Sequence, residues 1–231
     1  MNRDHNQLAA GFHWLNVTQF LGAMNDNILK LLIVFCLISA QGTGQAGVIT
    51  ALVGAAFVLP FLLFSAPAGC LADRFGKSRA IVVVKVVEVA VTGLAVIAFA
   101  LGISQGLYLL VFLMATHSAF FAPVKYGVIP ELSDRDQLSR ANGLIEAATF
   151  LAIIIGTATA SVLAQVVDGR FWLASLFCLG VALLGLCSSL KIDKTRAAAP
   201  GRRVAFLPLE IARTIGQVRK DRDLLLAMIG Y

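Results

Sequence analysis

The chain has 231 residues, of which 58% are hydrophobic and 14% are charged, and its mean hydropathy is +0.84. A soluble domain of this length cannot bury so much apolar side chain, and globular domains carry about 25% charged residues. The composition therefore excludes an ordinary soluble domain and predicts a protein that spans a membrane. The net charge of +6 raises nucleic-acid binding as an alternative. That function is excluded because the basic residues are spread over the connections between apolar segments rather than gathered in one patch.

Six apolar segments are long enough to cross a bilayer, which requires about 20 residues in a helix. They lie at residues 9–38, 47–72, 80–102, 105–130, 141–167 and 171–190. A seventh apolar run starts at Leu224 and ends with the sequence after eight residues, so we expect the front part of a longer protein. The prediction is an all-α membrane protein with a six-helix bundle over residues 1–190, a connector over 191–223 and the start of a seventh helix over 224–231.

The basic residues orient the predicted helices. Of the 19 Lys and Arg, 15 lie in the N-terminal tail, in the connections after the second and fourth segments, and in the connector. One, Arg170, lies on the opposite side, and Lys30, Lys85 and Lys125 lie within segments. By the positive-inside rule we expect the basic side, and with it the N-terminus, to face the cytoplasm. Within the connector, apolar residues from Phe206 to Val218 recur at helical spacing, which predicts either a surface-bound amphipathic helix or a solvated linker helix.

The first segment contains the polar stretch "TQFLGAMNDNILK". Gln19, Asp26 and Lys30 are separated by seven and four residues, so they share one helical face, and Asn27 lies about one residue from it. An ionisable side chain at membrane depth costs about 2.5 to 3.5 kcal/mol on insertion scales, so it generally faces a protein interior or a partner. Asp26 and Lys30 could neutralise each other at this spacing. The stripe as a whole predicts a water-filled cavity.

The connection between the second and third segments reads "GCLADRFGKSRA". We expect Gly69 to allow close helix packing and Gly76 to allow a sharp turn, and Asp73 to face a helix N-terminus or to pair with an Arg. The pattern resembles the loop signature of the major facilitator superfamily. The resemblance implies twelve helices in two six-helix halves around a cavity that opens to each side in turn. It also implies that this loop is a conformational latch, formed by Gly69, Asp73, Arg74, Gly76, Lys77 and Arg79.

Charged residues also lie within the third and fourth segments. Lys85 and Glu88 are three residues apart and we expect few other polar residues to surround them, which predicts an ion pair that neutralises itself within one helix. Lys125 lies between Pro123 and Pro130, which each interrupt the helical hydrogen bonding. Its ammonium could point at an anionic ligand or at Asp26, or it could reach the lipid headgroups.

The fifth segment places Asn142, Glu146 and Thr149 on one helical face. Glu146 has no basic residue one turn away in its own helix. We therefore expect the Glu146 carboxylate to have an interior partner on another helix rather than to face lipid.

Three segments together resemble the bacterial lysophospholipid transporter family: "QFLGAMNDNILK", "FFAPVKYGVIPEL" and "RANGLIEAATFLAIIIGTATASVLA". The resemblance implies that lysophospholipids, chiefly lysophosphatidylethanolamine, are moved to the cytoplasmic leaflet of the bacterial inner membrane for re-acylation. It implies cavity positions for Asp26 and Lys125, an acid for the headgroup ammonium and a base for its phosphate. With the polar faces described above, the substrate-binding candidates are Gln19, Asp26, Asn27, Lys30, Lys125, Asn142 and Glu146.

Two other functions remain open. One is a proton-coupled exporter of amphipathic compounds with Glu146 or Asp26 as the proton carrier, although the fifth segment lacks the Pro that is usual in drug antiporters. The other is the membrane part of a fused acyltransferase and acyl-acyl-carrier-protein synthetase, which some family members carry. This chain contains neither an acyltransferase His-x4-Asp motif nor a Gly-rich phosphate loop, so we expect any such enzyme to lie downstream.

We predict no metal site in this chain, because its Cys and His residues are scattered without ligand spacing. Since the resemblance implies a transporter segment, we also predict no enzyme activity and no cofactor. The expected partners are membrane lipids, the lysophospholipid substrate, a C-terminal transporter half and, in a fused protein, the acyltransferase and synthetase.

Overall fold

A computed structural model describes residues 10–195, except for the side chains of Asp73 and Arg135. Six helices in this range are long and apolar enough to cross a membrane. They are α1 (Ala10–Gln41), α2 (Ala46–Arg74), α3 (Lys77–Ala100), α4 (Ser104–Leu132), α5 (Leu138–Val166) and α6 (Phe171–Ser189). The predicted all-α class and the six spans are confirmed. The predicted amphipathic helix and the start of a seventh helix lie outside the described residues.

The helices extend a few residues beyond several of the predicted apolar segments. Two of them, α3 and α5, begin with polar turns at Lys77 and Leu138, which hydropathy does not detect because it scores apolar character and not helix formation. The fourth helix continues through Pro123 and Pro130. Each proline removes one backbone N–H, which a packed membrane helix tolerates without ending.

The helices alternate in direction, so that the start of α1 and the ends of α4 and α6 meet at one end of the bundle. There Gly11 lies against Leu132 and Asp193, while at the opposite end the rings of Phe99 and Phe171 stack with centroids 6.1 Å apart. We call the first end the basic end. In the described range it carries Arg74, Lys77, Arg79, Arg140, Lys191 and Lys194, and Arg170 lies at the other end.

Along α1 the interior divides into two apolar cores separated by polar residues. Phe12 and Leu15 belong to the core near the basic end, and Leu32 and Leu37 belong to the other. Between them lies a polar layer of buried side chains: Thr18, Gln19, Asn25 and Asp26 of α1, Lys85, Glu88 and Thr92 of α3, and His117 of α4. Asp26 lies about 24 Å along the 32-residue helix from its first residue, at 1.5 Å per residue. The layer is therefore near mid-membrane.

The central helix of the bundle is α1, which packs against α2, α4, α5 and α6. Half of the residues in the most apolar stretch of α1 are buried, whereas only 17% are buried in the corresponding stretches of α2 and α5. These two helices accordingly expose large apolar side chains such as Leu62, Phe150 and Ile154. Such faces require lipid or another apolar protein surface against them.

One close approach holds α1 against α5. A Cβ atom added to Gly156 would lie 2.8 Å from the Met24 carbonyl oxygen, which is backbone and cannot rotate away. Small residues allow membrane helices to approach in this way. The absence of a side chain at Gly156 therefore sets the distance between the two helices.

We expect Gly156→Ala to lower the melting temperature of the detergent-solubilised protein, because overpacking a tight contact costs about 1 to 3 kcal/mol. Gly143→Ala is the matched control on the same helix, since no described atom lies within 4 Å of its added Cβ. It should leave the melting temperature unchanged or raise it, because Ala favours a helix over Gly by about 1 kcal/mol. Equal melting temperatures for the two variants would contradict the close approach.

Candidate functional site

A cavity of about 210 Å³ opens among α1 to α5 at the level of the polar layer. Three phenyl rings, of Phe57, Phe61 and Phe121, form part of its surface. Ligand pockets usually measure about 300 to 1,000 Å³, so a lipid-sized ligand needs a larger volume than the described residues enclose. The polar side chains that line the cavity are Gln19, Asp26, Asn27, Lys85, Glu88, His117, Ser118, Lys125 and Thr149.

The Asp26 carboxylate is held from α4 and keeps one oxygen unused. The Ser118 hydroxyl donates to Oδ2, and the His117 Nε2 atom lies 3.8 Å from Oδ1. That Oδ1 atom is buried and has no hydrogen-bond partner among the described residues. A buried acceptor without a donor is costly, so Asp26 is suited to a donor brought by a ligand.

The Lys125 ammonium, which also lines the cavity, is held loosely. Its Nζ atom donates to Gln19 Oε1 over 3.5 Å and lies 4.8 Å from the centre of the Tyr126 ring. Gln19 is itself anchored, because its amide donates to the Ile145 carbonyl at 3.0 Å and the Thr149 hydroxyl lies 3.0 Å from Oε1. A hydrogen bond of 3.5 Å is at the limit of the interaction, so the ammonium retains donors for an anion.

The expected ion pair within α3 is confirmed: Lys85 Nζ donates to Glu88 Oε2 at 2.6 Å, and both residues are 2% exposed. The expectation that few polar groups surround it is wrong. Asn25 of α1 donates to Glu88 Oε1 at 3.3 Å and lies 3.4 Å from the Thr92 hydroxyl. Sequence spacing reports only the neighbours within one helix, so it could not show α1 beside this pair.

The remaining candidates lie away from the cavity lining. The Lys30 ammonium does not form an ion pair with the Asp26 carboxylate; it donates to Asn27 Oδ1 at 3.2 Å and lies 4.6 Å from the centre of the Phe57 ring. Asn142 is exposed. Glu146 is half-buried, and its carboxylate accepts a hydrogen bond from Tyr126 of α4, so a partner on another helix is present, although Tyr126 is exposed and not interior as expected. A substrate-binding role for these residues stays a prediction.

Sequence reasoning missed several lining residues, among them His117, Ser118 and Phe121 of α4, and two of these three follow a recognisable pattern. Ser118 and Phe121 precede Lys125 by seven and four residues, so they share its helical face, and His117 adjoins them. Extending the face of Lys125 backwards along α4 would have found them. The spacing of Lys85 and Glu88 predicts that they pair, but no pattern in α3 indicates that this pair borders the cavity.

Within the predicted latch, the two glycines differ from expectation. Gly76 has φ −59° and ψ 122°, which any residue adopts, so the turn does not require glycine. Glycine is required at this position for another reason: a Cβ added to Gly76 would lie 2.8 Å from the Thr195 carbonyl oxygen. At Gly69 no described atom lies within 4 Å of an added Cβ, so the expected close packing is not present in this part of the chain. The Asp73 side chain lies outside the described residues.

Lys77 joins the latch to α4. It is buried, its ammonium donates to the Glu131 carboxylate, and its Cε atom lies 3.1 Å from the position of a Cβ on Gly127. Gly127 thus leaves the space through which the Lys77 side chain reaches Glu131. The other two basic latch residues, Arg74 and Arg79, are exposed.

The segment after α6 also docks at this end. The Ser78 N–H donates to Thr195 Oγ1 at 2.9 Å, and the Thr195 N–H donates to Ser78 Oγ at 3.1 Å. Lys191 lies 4.1 Å from the ring centre of Trp14, and Ile192 is buried in the core near the basic end. The described start of the connector is therefore bound to both α1 and α3.

Comparison with known proteins agrees with this architecture. The family model described as Major Facilitator Superfamily matches residues 15–231. The lysophospholipid transporters LplT of Salmonella newport and Salmonella typhimurium are each 35% identical over 189 residues, which is 80% of this chain and 44% of theirs. The chain thus spans less than half the length of these relatives.

Solved structures match the whole bundle. A crystal structure of the peptide transporter POT in complex with sulfate has a TM-score of 0.60 and 18% identity, over 96% of this chain and 45% of that chain. A POT family transporter in complex with a thioalcohol-conjugated peptide has a TM-score of 0.61 and 18% identity, over 95% and 45%. At this identity the likeness establishes the fold alone.

We expect Lys77→Gln and Glu131→Gln to be coupled in a double-mutant cycle of thermal stability. The pair is partly buried, with side chains 10% and 30% exposed, so the coupling free energy should be about 1 kcal/mol. The matched control combines substitutions at two exposed positions, Arg79→Gln and Asp134→Asn, and their coupling should be near zero. Equal coupling in the two cycles would contradict the role of Lys77 as a link between α3 and α4.

Proposed function

Because this chain belongs to the major facilitator superfamily, we propose that it is the N-terminal half of a lysophospholipid transporter that works by alternating access. The substrate would be a lysophosphatidylethanolamine-type lipid, moved across the bacterial inner membrane for re-acylation. The observation that carries this proposal is a cavity at mid-membrane with an incompletely paired carboxylate, Asp26, and a loosely held ammonium, Lys125.

These two groups match the charges of the headgroup. The ammonium of phosphoethanolamine is a donor for the Asp26 carboxylate, and the phosphate is an acceptor for the donors that Lys125 retains; both residues line the cavity. Charge-assisted hydrogen bonds of this kind are stronger than those between neutral groups. The similarity to lysophospholipid transporters of Salmonella supports the assignment of the substrate class.

The apolar part of the lipid also has surfaces available. Phe57, Phe61 and Ile153 line the cavity beside the charged groups, and α2 and α5 expose apolar side chains. We infer that these exposed faces meet the C-terminal half, the lipid or the acyl chain of the substrate. A cavity completed by the second half would supply the volume that 210 Å³ lacks.

We infer that the basic end faces the cytoplasm, because positively charged membrane-flanking residues are retained on that side. The distribution of Lys and Arg supports this orientation. Of the described basic residues that flank the helices, Arg170 alone lies at the opposite end. The transported lipid would then be delivered to the cytoplasmic leaflet. An acyltransferase with its acyl-acyl-carrier-protein synthetase is the partner that we propose for re-acylation there, either fused or separate.

We expect Asp26→Asn and Lys125→Gln each to reduce lysophosphatidylethanolamine uptake by the complete transporter about tenfold or more, because each removes a charge-assisted hydrogen bond. Uptake is measured in vesicles with a leaflet-resolved assay, alongside the amount of inserted protein. Arg170→Gln, which removes an exposed charge at the far end, is the control and should transport normally. Near-normal uptake in both cavity variants would reject the assignment.

We propose that Asp73 stabilises one access state and does not touch the substrate. Asp73→Ala should therefore reduce uptake while leaving lysolipid binding within about twofold, a free-energy change below 0.5 kcal/mol. It should also change the labelling of an engineered cavity thiol, Ser118→Cys, by reagents applied from either side. Lost binding with unchanged thiol labelling would count against a latch.

A further inference from the structure

A polar link joins α1 to the ion pair of α3, one residue before Asp26. The Asn25 amide donates to Glu88 Oε1 at 3.3 Å and lies 3.4 Å from the Thr92 hydroxyl. Asn25 is 1% exposed. Consecutive helical residues differ in direction by about 100°, so a bond that fixes the direction of residue 25 also fixes that of residue 26.

The same contact is reinforced one turn earlier on α1. The Lys85 ammonium occupies the space beside Gly22, since a Cβ added there would lie 2.3 Å from Nζ. The ammonium is enclosed, because Gly185 of α6 and the ring of Phe121 also border it while it pairs with Glu88. A side chain at position 22 would displace the ammonium from its place beside the carboxylate, so Gly22 is part of the arrangement that holds Glu88.

The ion pair also leaves Asp26 available. Lys85 neutralises Glu88 at 2.6 Å, whereas the contacts of Asp26 are Ser118 and His117 of α4. Two adjacent residues of α1 are thus restrained by different helices, Asn25 by α3 and Asp26 by α4. Among the described residues, Asn25 Oδ1 and Asp26 Oδ1 both lack a hydrogen-bond partner, but only Asp26 lines the cavity.

We propose that Glu88, held by Lys85, is a positioning residue for Asp26. Through Asn25 it fixes the rotation of α1 about its axis and thereby keeps the Asp26 carboxylate in the cavity lining, where it receives the headgroup. The inference rests on the proposed function, because it assigns Glu88 a role only where Asp26 receives the ammonium of the lipid. It explains why a buried ion pair is present on α3, a helix that contributes no other charge to the cavity.

The test is Asn25→Leu in the complete transporter, which breaks the link and keeps both charges of the pair. We expect the dissociation constant for lysophosphatidylethanolamine to rise about tenfold. In an Asp26→Asn background the same substitution should add nothing, because residues that act through one another are not additive. A purely structural role would weaken binding equally in both backgrounds, and that result would overturn the proposal.

Matched controls separate positioning from general damage. Thr18→Val removes another buried hydrogen bond of α1, the 2.8 Å bond to Ser188 of α6, and should leave the dissociation constant unchanged. Gly22→Ala is the second variant and should weaken binding by displacing Lys85, while Gly93→Ala, with open space around it, should not. If Thr18→Val weakens binding as much as Asn25→Leu, or if Gly22→Ala binds normally, the proposal fails.

The outcomes also distinguish this inference from the proposed function. If the unaltered transporter does not bind lysophosphatidylethanolamine, the proposed function fails. If it binds the lipid and Asn25→Leu binds it equally well, only the positioning role fails.

Discussion

The structure of this half depends on keeping charged groups at mid-membrane away from hydrocarbon. An ionised side chain in that position must find partners within the protein, and here α1, α3 and α4 supply them for one another. The polar layer lies between two apolar cores on a single helix, so α1 must be central rather than peripheral. Its central position then determines which faces of α2 and α5 remain uncovered.

The fold could be predicted from the sequence because its determinants are local. Segment length and hydropathy give the six helices, and the distribution of Lys and Arg gives their alternation. The pairing of Lys85 with Glu88 also follows from spacing within one helix. Helix ends were less accurate, because Lys77 and its neighbours are helical and polar at the same time.

The site was only partly predictable, because its geometry depends on which helices become neighbours. Gln19, Asp26, Asn27 and Lys125 do line the cavity, whereas Lys30 turns to Asn27 and Phe57. Nothing in the first segment shows that Ser118 would take the role of partner to Asp26. Gly76 illustrates the same limit, since it is required by Thr195, which is more than a hundred residues away in the chain.

The space shared by Gly22 and Lys85 has a consequence for how this family can diverge. The ammonium lies where a side chain at position 22 would begin, so the two positions cannot vary independently. A lineage can lose the lysine first and then acquire a larger residue at position 22, while the reverse order passes through an intermediate with a displaced, buried charge. Substitution histories should therefore be directional, and an alignment of homologues should show glycine at position 22 wherever position 85 is lysine.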